Sequence, residues 1–400
     1  MWKLSLFLVA AALWAQPESW IDPDTGHRVV RLTKEPNSAS LYFNQNGYTA
    51  DHKKMVYTTP EGISVLNLET HQAKSVVTGR VRIVVTGHKT QNVYYIRDQA
   101  VYATDVDTLA TKMIAKLPPR ASIATVNADE TLLAGTYIEG DGQDYNQNRP
   151  QAPQQLEQPV SKGQMMEQRL AARLPMAMFT IDAGTGETRV IHRATDWLNH
   201  LEFNPADPTL LMFCHEGPWH KVDRIWTMRT DGTHIQLIHK RTMAFEIAGH
   251  EFWSADGKIL WYDLQTPRAE VFWLAGYNVE TGERTWYHLE RNEWSIHFNV
   301  SADGKLFCGD GGDPGQVAKA PDGQWIYLFR PEKLGAPGML NEKDFIQPGK
   351  FHAEKLVNMS KHNYRLEPNV SFTPDQKWVV FRSNMFGATY AFAVEVEKHG

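Results

Sequence analysis

The chain has 400 residues, 42% hydrophobic and 22% charged, with 28 glycines and 21 prolines, a composition that excludes both a disordered tail and a fibrous repeat. A formal net charge of −5 lacks the basic surplus that phosphate neutralisation requires, so a general nucleic-acid partner is excluded. Two cysteines, Cys214 and Cys308, are too few for a disulfide framework or a cysteine-rich zinc site.

At the N-terminus Lys3 precedes an apolar run at 4–14 and the small residue Ala15. This pattern predicts a signal peptide over 1–15 and a periplasmic or secreted mature chain. The run is too short to cross a bilayer, and no later segment reads as a membrane span.

From residue 49 onward a polar turn that feeds a β-rich run recurs. It appears as Thr49-Ala-Asp-His-Lys-Lys-Met-Val-Tyr57, Asn127-Ala-Asp-Glu-Thr-Leu-Leu133 and Asn204-Pro-Ala-Asp-Pro-Thr-Leu-Leu211. Three more follow: Trp253-Ser-Ala-Asp-Gly-Lys258, Val300-Ser-Ala-Asp-Gly-Lys305 and Phe372-Thr-Pro-Asp-Gln-Lys377. Turn residues placed before short hydrophobic strands at a spacing of roughly 40 to 50 residues are the mark of propeller blades. A degenerate repeat around Gly87-His-Lys-Thr-Gln-Asn-Val-Tyr-Tyr95 fills the first long gap. The segments at 26–33 and 389–396 are expected to share one blade and close the ring, which removes exposed sheet edges. The prediction is therefore an all-β chain, a single seven-bladed β-propeller domain over 16–400. Insertions are expected near 140–178, with a helix at 164–172, and near 331–360, read as a loop.

A propeller names no function, so function has to come from polar residues that the repeat does not need. His200 stands seven residues before Asp207, His250 six before Asp256, His297 six before Asp303 and Asn369 six before Asp375. Equal offsets place these residues at equivalent points of different blades, near the mouth of the central channel. Imidazole, carboxylate and amide groups converging there suit a divalent metal or an acid–base site. The segment 213–226 adds His215, Glu216, Trp219 and Arg224. No Gly-rich phosphate loop and no Gly-x-Ser-x-Gly motif is present, which speaks against covalent hydrolase chemistry.

The runs Asp22-Pro-Asp-Thr-Gly-His-Arg-Val-Val-Arg-Leu-Thr33, Leu41-Tyr-Phe43, His215-Glu-Gly-Pro-Trp219, His250-Glu-Phe-Trp253 and Lys361-His-Asn-Tyr-Arg-Leu-Glu-Pro-Asn369 resemble the oligogalacturonate lyases, family 22 of the polysaccharide lyases. The resemblance extends over nearly the whole mature chain. It implies metal-dependent β-elimination on short uronate oligosaccharides derived from pectin, with 4,5-unsaturated products. By the same resemblance His250 is the general base and Arg224 assists it. The metal ligands it implies are His297, Glu367 and Asn369, where the family's second and third histidines are replaced by Glu and Asn. Its glutamine position falls near Tyr364, and His362 stands close by. A manganese-type cation is expected, with calcium or magnesium also compatible with so oxygen-rich a set. His200, His215, Trp219 and Arg382 are the expected substrate contacts. The competing readings are a non-catalytic sugar-binding or scaffold propeller, which needs no base, and a lyase for a different uronate. The sequence sets no oligomeric state.

Overall fold

The computed structural model describes residues 17–140, 161–335, 342 and 345–398. The signal-peptide segment lies outside them. The described residues form seven antiparallel blades of four strands, the last with a fifth at its edge; blades 1 to 6 run from an inner strand outward in chain order. The inner strands of blades 1 to 7 are Ala39–Ser40, Arg82–Thr86, Ser122–Val126, Trp197–Phe203, Ile247–Trp253, Phe298–Val300 and Ser371–Phe372. Blade 2, over the degenerate repeat, is as regular as the others. Its strands are Arg82–Thr86, Asn92–Arg97, Ala100–Asp105 and Thr111–Lys116.

The recurring turns explain themselves in hydrogen bonds. Thr49, Ser254, Ser301 and Thr373 each donate a hydroxyl to the aspartate two residues on, at 2.6–2.7 Å. The same carboxylates accept the backbone N–H of Lys53, Lys258, Lys305 and Lys377. A short polar cage of this kind satisfies the turn without a partner from another blade. Between blades the core is aromatic and aliphatic, and one close approach demands glycine: a Cβ on Gly276 would meet the Trp261 ring at 2.5 Å. Cys214 and Cys308 are both fully buried free thiols.

Closure occurs as the sequence predicts. Arg28–Arg31 pairs with Ala388–Glu395 as the fourth strand of blade 7, in the register Val29↔Val394, Val30↔Ala393 and Arg31↔Phe392. Ser19–Ile21 adds a fifth strand at its edge.

Two expectations need correction. The segment 331–360 is not a loop: Trp325–Lys333 and Ile346–Asn358 are the outer strands of blade 6, and the second also pairs in parallel with Arg284–Leu289 of blade 5. Pro348 and Gly349 break the alternation that would have betrayed this strand, yet both sit in register opposite Trp286 and Tyr287. The insertion near 140–178 is shorter than read, because Met176–Asp182 is already the third strand of blade 3. Its described part is a helix, Lys162–Ala172, begun by a capping box in which Ser161 and Gln164 exchange side-chain and backbone bonds. This helix leans onto blade 4, with Arg169 over the Trp197 ring at 4.4 Å and Glu167 paired to Lys221 at 2.9 Å.

Val29 is completely buried in the closing strand. Val29→Asp is expected to place an unpaired charge there and to lower the unfolding free energy by about 3 kcal/mol or more, read from the midpoint of urea denaturation.

Candidate active site

The inner strands do not run straight. Their pairing to the second strand slips between Ile83/Val85, Ile123/Thr125, Asn199/Glu202 and Gly249/Phe252 in blades 2 to 5. A bulge turns a side chain off the regular alternation, and in blades 4 and 5 the slip contains His200 and His250. Both hold left-handed backbone, φ 46° and 49°, and Asn369 does the same at 55°. Such a conformation costs roughly 1–3 kcal/mol in a non-glycine residue, so the surrounding sheet has to enforce it.

His250 and His297 come together, with ring centroids 4.9 Å apart. Each is held from the adjacent strand by an aspartate thirteen residues on: His250 Nδ1 lies 3.2 Å from Asp263 Oδ1, and His297 Nδ1 lies 2.8 Å from Asp310 Oδ2. A carboxylate at Nδ1 keeps the proton there and leaves Nε2 as the free basic position. At His297 the Tyr42 hydroxyl lies 3.1 Å from that nitrogen. Phe43 packs on the pair, its centroid 4.5 Å from His297 and 6.3 Å from His250. Burial by itself would lower the His250 pKa, but the charge and hydrogen bond of Asp263 outweigh it and leave the imidazole a stronger base than usual. At His297 burial prevails over Asp310, so the ring is held neutral.

Arg224, expected beside the base, is buried in an ion cluster. Its Nε and one terminal nitrogen donate to Glu251 at 2.6 and 3.2 Å, and the other terminal nitrogen donates to Glu216 at 2.7 Å. Glu216 also meets His200 Nε2 at 2.9 Å and accepts the Trp219 indole N–H at 3.2 Å. Arg224, His200 and Trp219 are thus brought together around two glutamates, and the donors of the arginine are already committed. Trp219 also reaches His250, edge to face at 5.9 Å. For Glu216 and Glu251 burial would raise the pKa, and Arg224 reverses this to a net depression in both.

His215 does not join the group. It stands between Cys214 and Glu216 on one strand, so alternation sends its ring to the opposite face from Glu216. There it packs beside Trp226 at 4.9 Å, with Asp196 3.7 Å from Nδ1. Glu216 meets His200 rather than its chain neighbour His215.

On the far side of His297, Glu367 Oε2 stands 3.8 Å from Nε2. The Asn369 backbone N–H donates to Asp310, and its side-chain Oδ1 is buried without a hydrogen-bond partner among the described residues. Among those residues no three His, Cys, Asp or Glu side chains converge as a metal cage. A divalent cation nevertheless fits the donors in kind: one carboxylate-oriented imidazole, one carboxylate and one orphaned amide oxygen. Tyr364 and His362 are not donors to it. The Tyr364 hydroxyl donates to the Asp310 carbonyl at 3.1 Å, and both His362 nitrogens are engaged, by Ser383 and the Leu366 carbonyl. Arg382 spans to the Glu367 carbonyl through Nε at 2.8 Å and forms no ion pair with a carboxylate among the described residues.

The family model for oligogalacturonate lyase matches residues 15–399. The chain belongs to the oligogalacturonate lyase family. It is 25% identical to the oligogalacturonide lyase of Pectobacterium atrosepticum, over 94% of this chain and 95% of that protein. It is equally 25% identical to the oligogalacturonate lyase of Dickeya dadantii, with the same coverage. Among solved structures, an oligogalacturonate lyase in complex with manganese superposes with a TM-score of 0.76 at 23% identity, covering 95% of this chain and 96% of that one. The Vibrio parahaemolyticus oligogalacturonate lyase gives 0.74 at 25% identity, again over 95% of this chain and 96% of that one.

Within this family frame, several site residues carried no sequence-based role: Tyr42, Glu251, Asp263 and Asp310. The two aspartates had a readable signal, since both follow their histidine by the same thirteen residues; Arg382 follows Asn369 by that interval too. Glu251 had none, because its partner comes from another blade.

Glu251→Gln leaves Arg224 buried with half its compensation, and is expected to cost about 3–5 kcal/mol of stability in chemical denaturation. In the parent protein both glutamates are depressed in the folded state. Their contribution is therefore present above the ordinary carboxylate range and lost as pH falls through it, and the variant's acid unfolding should depend less steeply on pH.

Proposed function

We propose that this chain is a lyase that cleaves short oligogalacturonates by β-elimination, with His250 as the general base. The observation that carries this reading is the His250–Asp263 pair at the funnel: a basic imidazole whose Nδ1 is tied at 3.2 Å and whose other nitrogen is left to the pocket it lines. The chemistry sets the rest. In a uronate the C5 hydrogen is acidified by the C6 carboxylate. Its removal puts charge on the carboxylate oxygens before the C4–O bond breaks and the 4,5-double bond forms.

His250 Nε2 takes that proton. Arg382 supports the carboxylate with its planar donors, because the Arg224 fork is held by Glu216 and Glu251. Arg224 acts on the site through its hold on Glu251, the residue next to the base. The neutral His297 ring and Tyr42 wall the reacting face, with His297 fixed by Asp310. Manganese in a related lyase supports a cation held by His297, Glu367 and Asn369, and such a cation supplies Lewis-acid polarisation of the uronate carboxylate. The signal-like pattern at 1–15 supports a periplasmic or secreted site of action.

The test is the ultraviolet absorbance of the conjugated double bond during incubation with digalacturonate and trigalacturonate. His250→Ala should lower kcat by about 10²- to 10⁴-fold while binding of the oligomer is kept. Product formed at the parent rate removes His250 as the base. Separately, His297→Ala should reduce the divalent metal retained after dialysis, measured by elemental analysis; an unchanged stoichiometry removes His297 from the ligand set.

A further inference from the structure

The pocket that His250 lines, of about 600 Å³, includes Asp263 and Glu367 together with three cations, Lys162, Arg268 and Lys319. A neighbouring cavity of about 570 Å³ shares Lys162, Trp219 and Arg268 with it and continues along the helix past Gln164 and Gln168 to His220. The shared residues make the two one trench that leads away from the base.

The charges in this trench are unusual for the chain. Arg224, Lys221 and Arg241 close by are all paired to carboxylates. Lys162, Arg268 and Lys319 form no ion pair among the described residues, in a protein whose net charge is −5. Lys162 Nζ sits 5.4 Å from the Trp219 ring centre, which leaves its ammonium donors unspent. At the rim His220 and Phe245 stack, centroids 5.2 Å apart and planes 6° from parallel, and Phe245 is 59% exposed. Unpaired cations alternating with open aromatic faces match a ligand that repeats a carboxylate and a flat sugar face.

We propose that this trench is a uronate subsite for the sugar beyond the two that flank the cleaved bond. Lys162 and Arg268 hold that sugar's carboxylate, and the His220–Phe245 platform carries its ring. This rests on the uronate reading above and accounts for the helix at Lys162–Ala172, which delivers a cation from blade 3 across blade 4 to the trench.

The test is calorimetric binding in a His250→Ala background, where oligomers bind without turnover. Lys162→Ala and Arg268→Gln are each expected to weaken trigalacturonate by roughly tenfold and to leave digalacturonate within about twofold. Methyl-esterified trigalacturonate should bind parent and variants alike. Both substituted residues are exposed, and an unchanged melting temperature checks that the fold is kept. Trigalacturonate binding that is unaltered in the variants overturns the subsite and leaves the functional reading standing. An equal loss for both oligomers overturns the assignment to the third sugar. If the parent binds neither acid oligomer, the uronate reading falls, and the subsite with it.

Discussion

One buried carboxylate holds the mouth of the channel in shape. Asp310 accepts both the backbone N–H and the Nδ1–H of His297, each at 2.8 Å, and on its second oxygen also the backbone N–H of Asn369 at 3.1 Å. Blades 6 and 7 are thereby joined through a single side chain with no access to solvent. A charge so placed is tolerable only if its lone pairs are filled, and here the neighbouring donors fill them. The outcome is an imidazole with a fixed tautomer and ring plane, an ordered Tyr42, and an asparagine turned into left-handed backbone. Loss of the Asp310 charge would release all three together.

The electrostatic division of labour follows from burial. Arg224 and Arg382 carry the same charge, but the first is enclosed in ion pairs with Glu216 and Glu251, whereas the second donates to the Glu367 carbonyl and forms no ion pair among the described residues. Buried ion clusters fix conformation more than they attract ligands, since their fields are largely compensated. Arg224 therefore positions Glu251 and, through Glu216, His200 and Trp219. On the proposed reading, attraction of an anion falls to Arg382 and to the cations of the trench. A resemblance that maps an arginine by motif alone cannot separate these roles, because it does not see which carboxylates fold back onto it.

Much of this was readable beforehand, for reasons that differ by residue. The blades were legible because each Ser/Thr-x-Asp turn closes on itself, the hydroxyl and the lysine N–H both bonding an aspartate within two residues. The convergence of His250 and His297 was legible because equal offsets from those turns map to equal places in the ring. His215 was misplaced because proximity in sequence says nothing about which face of a strand a side chain takes. The strand Ile346–Asn358 was missed because its pattern answers to two neighbours, one antiparallel and one parallel, rather than to one face of core. The lysine at 162 was hidden for another reason: its contact with Trp219 crosses from an insertion in blade 3 to a turn in blade 4.

The parallel seam between Arg284–Leu289 and Ile346–Asn358 makes blades 5 and 6 a single eight-stranded plate. The other blades of the described residues meet their neighbours through side-chain packing. Here one joint is stitched by backbone, and His250 and His297 belong to the two halves of the stitched plate. Sliding blade 5 past blade 6 therefore has to break backbone hydrogen bonds at the rim, so the relative placement of His250 and His297 is constrained there as well as by the contact of their rings.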